Sequence, residues 1–408
     1  MRNGPSSDDT MSGSVAGALD GILVADFSRV LAGPYLTMLL GDLGATVIKV
    51  ESPEGDQTRG WGPPWRDGET TYFRGVNRNK RSIVLDLKKA EDQALARELA
   101  LRADVLVENL LPGRMKSFGL DYAALQPANP GLVYCSLSGF GSQPRGARLP
   151  GFDLVAQAAG GLMSITGSAE GTPMKVGVAV VDVLCGLHGG MGVLAALAAR
   201  ASHGRGQLVE VNLLASTLSG LANQAAAFLM AGEVPGRLGN AHPSVVPYEV
   251  FEVADGDVVI AAGTERQFRQ LCSVLDLGEL LGDERFATNV ARVQNRVLLR
   301  KILCDRLAGF TRAEATEALS AAGVPVGPVN DIADAFKLAR DLDLEMLWRI
   351  DGIDHVRSPF FLSENAPTPR SGAPSLDADG ADLREWLSAE HFPGTGGPGA
   401  SGPRPAHP

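Results

Sequence analysis

The chain predicts an α/β fold: a largely parallel, doubly wound sheet followed by a smaller α+β domain. Short apolar runs of buried-strand type recur through the first half, at 21–26 (GILVAD), 45–51 (ATVIKVE), 82–88 (SIVLDLK), 103–109 (ADVLVEN) and 132–137 (LVYCSL). Helical or turn-forming stretches separate them, which is the pattern of repeated strand–helix–strand units. A Gly/Pro-rich break at 231–247 (AGEVPGRLGNAHPSVVP) then interrupts the pattern. Beyond it, 248–261 (YEVFEVADGDVVIA) alternates about an Asp255-Gly256 turn, the signature of an antiparallel hairpin. At 408 residues the chain also exceeds one ordinary core.

Composition narrows the function. Hydrophobic residues make up 45% of the chain, yet no uninterrupted apolar run reaches 18 residues, so a soluble protein without a membrane span is expected. A net charge of −10 argues against a nucleic-acid or anionic-membrane binder. It leaves room for a local basic pocket that takes a small anion. Four widely spaced cysteines (Cys135, Cys185, Cys272, Cys304) without a CxxC pair fit reduced thiols in the cytoplasm. Six histidines form no HExxH or HxH pair, so no metal site is expected.

The elements follow in order. Residues 1–19 are small and polar, lack a signal-peptide apolar core, and read as a disordered lead. After the strand at 21–26, Pro34 suits the first turn of a helix running to about Leu43. The strand at 45–51 ends in Glu51, where a ribose-binding acid would sit, but no GxGxxG precedes it and a dinucleotide role is weak. Residues 52–81 are irregular, with GDQTRGW at 55–61, Tyr72-Phe73, and the basic run Asn77-Arg78-Asn79-Lys80-Arg81. That run reads either as a solvated loop or as a phosphate-contacting rim. Strand 82–88, a helix over 89–101, and strand 103–109 lead into LLPGR (110–114); strand 132–137 is closed by SGFG. A strand at 206–212 precedes a single long Ala/Leu-rich helix over 213–230, a connector between domains. Helices fill 264–320, and 331–387 supplies a helix, an extended piece and a final helix near Leu383 and Trp386. The Gly/Pro-rich stretch 388–408 reads as a disordered tail.

One residue stands out. Asp182 interrupts the apolar run Val178-Ala179-Val180-Val181 … Val183-Leu184-Cys185. An ionised side chain sits in such a run only if something there holds it. Asp182 reads as the N-cap of a Gly/Ala-rich buried helix over 183–200, accepting a backbone N–H at the positive helix end. The alternative is a nucleophilic carboxylate, kept charged by that same helix end and exposed beside flexible glycines.

Seven stretches taken together resemble the family III CoA-transferases, the group of formyl-CoA:oxalate and carnitine–crotonobetaine CoA-transferases. They are DFSRVLAGP (26–34), GDQTRGW (55–61), NRNKRSIVLDLK (77–88), ADVLVENLLPG (103–113), GFDLVAQAAGG (151–161), KVGVAVVDVLCG (175–186) and GVPVGPVN (323–330), and the resemblance spans 21–336. It implies a Rossmann-like large domain built from both chain ends, a small domain from the middle, and an interlocked homodimer. The expected boundaries are a large domain over 20–213, a linker over 214–240, a small domain over 241–330 and a return to the large domain over 331–387. Asp182 falls at the family's catalytic aspartate, which makes the capping and nucleophile readings compatible.

The resemblance implies no permanently bound cofactor; CoA and acyl-CoA are substrates, with a small carboxylic acid as the other partner. Arg29, Val30, Leu31 and Ala32 match the segment that packs on the pantetheine and adenine. Leu85, Lys88, Asn109 and Leu110 fall where the family holds the nucleotide, and Arg114 lies near its phosphate-binding arginine. Leu31 replaces a polar residue of some members, so its side chain has no oxyanion role. GNAHPSVVPY (239–248) resembles the small-domain loop of succinyl-CoA-dependent dicarboxylate transferases, so Asn240 and His242 are expected near the acid, as are Phe152 and Asp153. The related α-methylacyl-CoA racemases carry a histidine where Phe152 stands, and phenylalanine cannot exchange a proton. A non-catalytic CoA-binding protein is the alternative from another class. At 374–380, PSLDADG replaces a Gly-Glu-His-Thr segment common in the family.

Overall fold

The computed structural model describes residues 17–389. The expected lead and tail lie outside the described residues except at their inner ends, where Leu19 N–H donates to the Leu43 carbonyl (2.9 Å) and Ser388 closes a helix. The chain divides into two compact units. One gathers Gly177–Ala222 with the described parts of Met1–Gly160 and Met346–Pro408; the other joins Gly161–Val176 to Asn223–Glu345.

The first unit is built on a six-stranded parallel sheet: β1 (Leu23–Asp26), β2 (Thr46–Glu51), β3 (Lys80–Val84), β4 (Val105–Glu108), β5 (Val133–Ser138) and β6 (Leu208–Asn212). The spatial order is β3-β2-β1-β4-β5-β6, all neighbours parallel. This is the α/β architecture that the sequence predicts. β1 and β4 are buried along their whole length, which is why they read as continuous apolar runs. Between them the strand order reverses, and the loops leaving their C-terminal ends part to form the crevice where such sheets bind ligands.

Helices cover the sheet: α1 (Ala32–Asp42), α2 (Ala90–Arg102), α3 (Asp153–Ala159), α4 (Val180–His203) and α5 (Leu213–Gly220). α4 is long and apolar enough to cross a bilayer by length and composition. Here it packs on α1, β5 and β6, burying Val181, Cys185, Gly189, Val193 and Ala196 along one stripe. Gly186 lets it approach α1, since a Cβ there would stand 2.6 Å from the Ala32 carbonyl oxygen. Leu187, Met191 and Leu194, on the rest of its surface, are exposed.

Three expectations are corrected here. The helix expected over 213–230 is two, α5 and α6 (Ala222–Ala231), because Ala222 takes a left-handed φ of 41°. The unit boundary falls just after that residue, so 214–240 is no separate linker. The basic run 77–81 is neither a solvated loop nor a rim. Arg78 Nε and Asn79 Nδ2 donate to Asp42 (2.9 and 2.8 Å), Lys80 Nζ to Asp26 (3.0 Å), and Arg81 Nε to Asp379 (2.9 Å). Burial pushes the Asp26 carboxyl up, but Lys80 and Lys49 outweigh it and hold it at about 2.

The second unit carries a three-stranded antiparallel sheet, β7 (Tyr248–Val253), β8 (Gly256–Ala261) and β9 (Val326–Pro328), with β8 central. The predicted hairpin turns at Asp255. Helices α7 (Glu265–Val274), α8 (Arg296–Leu307) and α9 (Arg312–Ala321) close a core around Phe251, Phe268, Phe286 and Leu303. The unit is larger than 241–330. Residues 161–176 join it because Arg237 Nη2 donates to the Gly171 carbonyl (2.8 Å) and Gly239 N–H to that of Gly167 (3.1 Å). α10 (Ile332–Asp341) also belongs to it, so the return begins at Met346 rather than at 331.

The return segment forms the hairpin β10 (Leu347–Ile350) and β11 (Ile353–Val356), then α11 (Gly380–Ser388). The divergent 374–380 stretch finishes the sheet edge: Asp377 accepts Val84 N–H (2.7 Å) and Asp379 accepts Ser82 N–H (2.9 Å). Edge strand β3 thus has side-chain partners for donors that no neighbouring strand takes up.

Candidate active site

Asp182 sits in the first turn of α4, two residues past its first residue, and does not cap it. The N-cap position is Ala179, with no side-chain cap. The acceptor comes from α3 instead: Asp153 Oδ1 takes the N–H of Val181 (2.8 Å) and of Asp182 (3.3 Å), while Gln157 Nε2 donates to its other oxygen (2.6 Å). The expected capping role therefore passes from Asp182 to Asp153. Freed of that task, Asp182 lines a cavity of about 290 Å³. Burial, and then the neighbouring Asp153 carboxylate, push its carboxyl up to about 7. Asp153 itself is not among the lining residues; it holds the first turn of α4 and its charge acts on the Asp182 carboxyl.

The rest of that cavity comes from loops at the C-terminal ends of the sheet: Arg29, Val30, Leu31 and Ala32 after β1, Asn109 and Leu110 after β4, and Ser138 to Gly141 after β5. Phe152, exposed just ahead of α3, also lines it. Gly139 and Gly151 form part of the wall, and a Cβ on either would stand 2.4 Å from the other's Cα. α1 begins without a side-chain cap, and Leu31 and Ala32 at its start line this cavity. Tyr72 is a residue that sequence reasoning left without a role. Its hydroxyl is pushed up to about 12 by burial and then by the charges of Asp182 and Asp153, which sets it in electrostatic reach of the pair. Only the aromatic character of its loop pointed that way.

A second cavity of about 320 Å³ lies on the other side of the crevice, among the loops after β1, β2, β3 and β4. Leu85, Lys88 and Arg114 line it, and Arg29, Leu110 and Leu111 line both cavities. Arg114 stands over the Phe118 ring (5.2 Å). Asn109 is differently employed: Oδ1 accepts Arg29 N–H (2.8 Å) and Nδ2 donates to the Arg29 carbonyl (2.7 Å), so its amide fixes a loop. Glu51, which also lines the second cavity, accepts from Arg59, Ser82 and Asp56 N–H.

Asn240 and His242 belong to the second unit. Asn240 is exposed. His242 Nδ1 accepts Ser244 N–H (3.1 Å), its ring meets Tyr248 (5.2 Å between centroids), and Arg296 holds the carbonyls of His242 and Pro243 (3.3 and 2.7 Å). These contacts organise the turn.

A parallel α/β sheet whose crevice joins a cavity lined by Arg29, Lys88 and Arg114 together with Glu51, Glu54 and Asp86 to one holding a burial-raised carboxylate suits an elongated ligand. Such a site presents the ligand's far end to a nucleophile. The chain belongs to CoA-transferase family III, whose model matches residues 19–380. It is 42% identical to the succinate–glutarate CoA-transferase of Agrobacterium fabrum, over 87% of this chain and 93% of that one. It is 41% identical to the succinyl-CoA:glutarate CoA-transferase of Mus musculus, over 87% of this chain and 84% of that one. A crystal structure of a CaiB/BaiF family protein from Brucella suis superposes with a TM-score of 0.83 at 41% identity, covering 91% of this chain and all of that one. The protein is thus an enzyme that transfers CoA.

Proposed function

We propose that the enzyme moves CoA from succinyl-CoA to a small dicarboxylic acid through an aspartyl-CoA thioester on Asp182. The observation that carries this is the position of the Asp182 carboxylate, which lines one cavity while Lys88 and Arg114 line the other across a shared rim. An acyl-CoA with its phosphates at Lys88 and Arg114 of the second cavity would deliver its thioester toward Asp182.

The Asp182 carboxylate attacks the thioester carbonyl, forming a mixed anhydride and expelling CoA thiolate, a competent leaving group because thiol pKa values lie near ~8.5. The thiolate then attacks the aspartyl carbonyl, and the donor acid departs as its carboxylate. The acceptor acid attacks the aspartyl-CoA thioester, and the same two exchanges run in reverse. Neither ATP nor water enters, and the thioester bond is conserved. The uncapped N–H groups at Leu31 and Ala32 suit the oxyanions that form. Phe152, at the cavity wall where a racemase would need a proton-exchanging histidine, supports transfer over racemisation.

The names of the two relatives support succinate and glutarate as the acids, and the 239–248 loop with His242 is the candidate for reading the second carboxylate. The exposed stripe Leu187, Met191 and Leu194 on α4 supports a homodimer. Four free cysteines support a reducing cytoplasm. The test is a panel of acids incubated with succinyl-CoA and read by mass spectrometry, with Asp182→Ala inactive. Hydroxylamine added after succinyl-CoA should leave a hydroxamate on residue 182. Transfer to no dicarboxylate would sink the substrate assignment, and an active Asp182→Ala would sink the mechanism.

A further inference from the structure

The loop Arg29 to Leu31, whose Arg29 lines both cavities, is held by side chains from other parts of the first unit, the buried Lys49 and Asp56 and the half-buried Asn109. Lys49 Nζ donates to the Ser28 carbonyl (2.9 Å), and Asn109 takes both polar groups of the Arg29 backbone. Val30 N–H is directed at the Asp56 carboxylate, 3.2 Å from one oxygen and 3.4 Å from the other. Val30 itself has φ 68°, a left-handed conformation that a β-branched residue resists. Something must therefore hold it there. Asp56 is built for that task. It is 2% exposed, pairs with the fully buried Lys49 at 2.9 Å, and is oriented by Thr58, whose N–H and hydroxyl donate to it (3.0 and 2.7 Å). Asp56 does not line either cavity.

We propose that Asp56, ion-paired to Lys49, is a positioning residue for CoA transfer: it locks Val30 in its left-handed turn and so fixes the cavity wall formed by the start of α1 with Asp182. The lock deepens the reaction proposed above and rests on it. Loss of the lock lets Val30 relax toward ordinary φ values, rotating the Arg29–Val30 and Val30–Leu31 peptides. Both the grip on the CoA ester and the alignment of the first α1 N–H groups then suffer.

The test is a double-mutant cycle between Asp56 and Val30, with glycine at 30 because it adopts positive φ without resistance. Asp56→Asn should lower kcat/KM for the acyl-CoA by about 10- to 100-fold, shared between KM and kcat. In a Val30→Gly background the same substitution should cost at least about fivefold less, because the turn no longer needs its lock. Asp56→Glu keeps the charge that Lys49 requires and shifts the carboxylate by one methylene; it carries the same prediction should Asp56→Asn not fold. Folded Asp56 variants with unchanged kcat and KM would overturn the proposal. So would a loss of equal size in both backgrounds, which is what a purely structural role gives. Wild-type transfer that disappears in Asp182→Ala keeps the underlying reaction separate from this outcome.

Discussion

The state of Asp182 can be moved by a residue that does not enter its cavity. Its carboxyl stands near 7 because of burial first and the Asp153 carboxylate second. Asp153→Asn removes the like charge while keeping an oxygen that can accept Val181 N–H, the shorter of its two bonds to α4. A neighbouring carboxylate of this kind accounts for about one pH unit, so Asp182 in the variant should titrate near 6. At pH 6 roughly a tenth of wild-type Asp182 is ionised against about half in the variant. Activity at that pH, relative to each enzyme's own alkaline plateau, should therefore rise about fivefold. The assay is kcat/KM for succinyl-CoA with a saturating acceptor from pH 5 to 9. An acidic limb that stays in place or moves upward in Asp153→Asn would refute the reasoning, since Asp153 would then not be repelling the Asp182 charge.

Gly186→Ala places a Cβ 2.6 Å from the Ala32 carbonyl oxygen, which should cost about 1–3 kcal/mol and lower both melting temperature and activity; a variant equal to wild type in both would contradict the close approach of α4 to α1. Asp26, held at about 2 against an ordinary 3.8, contributes stability that is complete above pH 4 and lost as pH falls through 2, about 2 kcal/mol in all. Urea midpoints across that window should slope for the wild type and flatten, at lower stability, for Asp26→Asn. Glu108 behaves oppositely, because burial pushes its carboxyl from 4.5 to about 7 despite donation from Ser136 and Leu110 N–H. The folded state holds its proton longer than the unfolded chain, so stability falls as pH rises from 4.5 through 7, by up to about 3 kcal/mol. Glu108→Gln should remove its share of the fall between pH 5 and 8, leaving the share that the raised Asp182 carboxyl contributes over the same window, and a slope unchanged in the variant would rule Glu108 out as a source.

The parallel sheet was legible because its central strands are buried on both faces and so carry unbroken apolar runs such as Leu23-Val24-Ala25 and Val105-Leu106-Val107. Asp182 was legible for the converse reason, a lone carboxylate in such a run. Its cap was not: the acceptor for the α4 N–H groups is Asp153, 29 residues upstream of Asp182, and no local pattern announces a cap lent by another helix. The basic run at 77–81 was misread because composition cannot reveal Asp26 and Asp42, the buried partners that consume it. The same limit hid the membership of 161–176, which depends on Arg237 reaching a carbonyl 66 residues away. Asn109, expected at the nucleotide, lines the Asp182 cavity, and its amide holds the Arg29 peptide, a long-range contact that no local pattern announces.

The raised pKa of Asp182 has a chemical consequence beyond its pH profile. Moving the carboxyl from 3.8 to about 7 means that the ionised form is disfavoured in its cavity by up to about 4 kcal/mol relative to water. In the reaction proposed above, acylation turns that carboxylate into a neutral anhydride, so the first step relieves this desolvation and the aspartyl thioester formed next keeps the site neutral. The charge passes first to the CoA thiolate, which stays beside the aspartyl carbonyl that it attacks next, and then to the departing donor acid. A more basic carboxylate is also a stronger nucleophile, and its affinity for a proton lies closer to that of the thiol with which it exchanges the acyl group. A cavity that fully solvated Asp182, or paired it with a cation, would give up both effects. Its largely apolar wall, with another carboxylate at the start of the helix, suits the exchange proposed above.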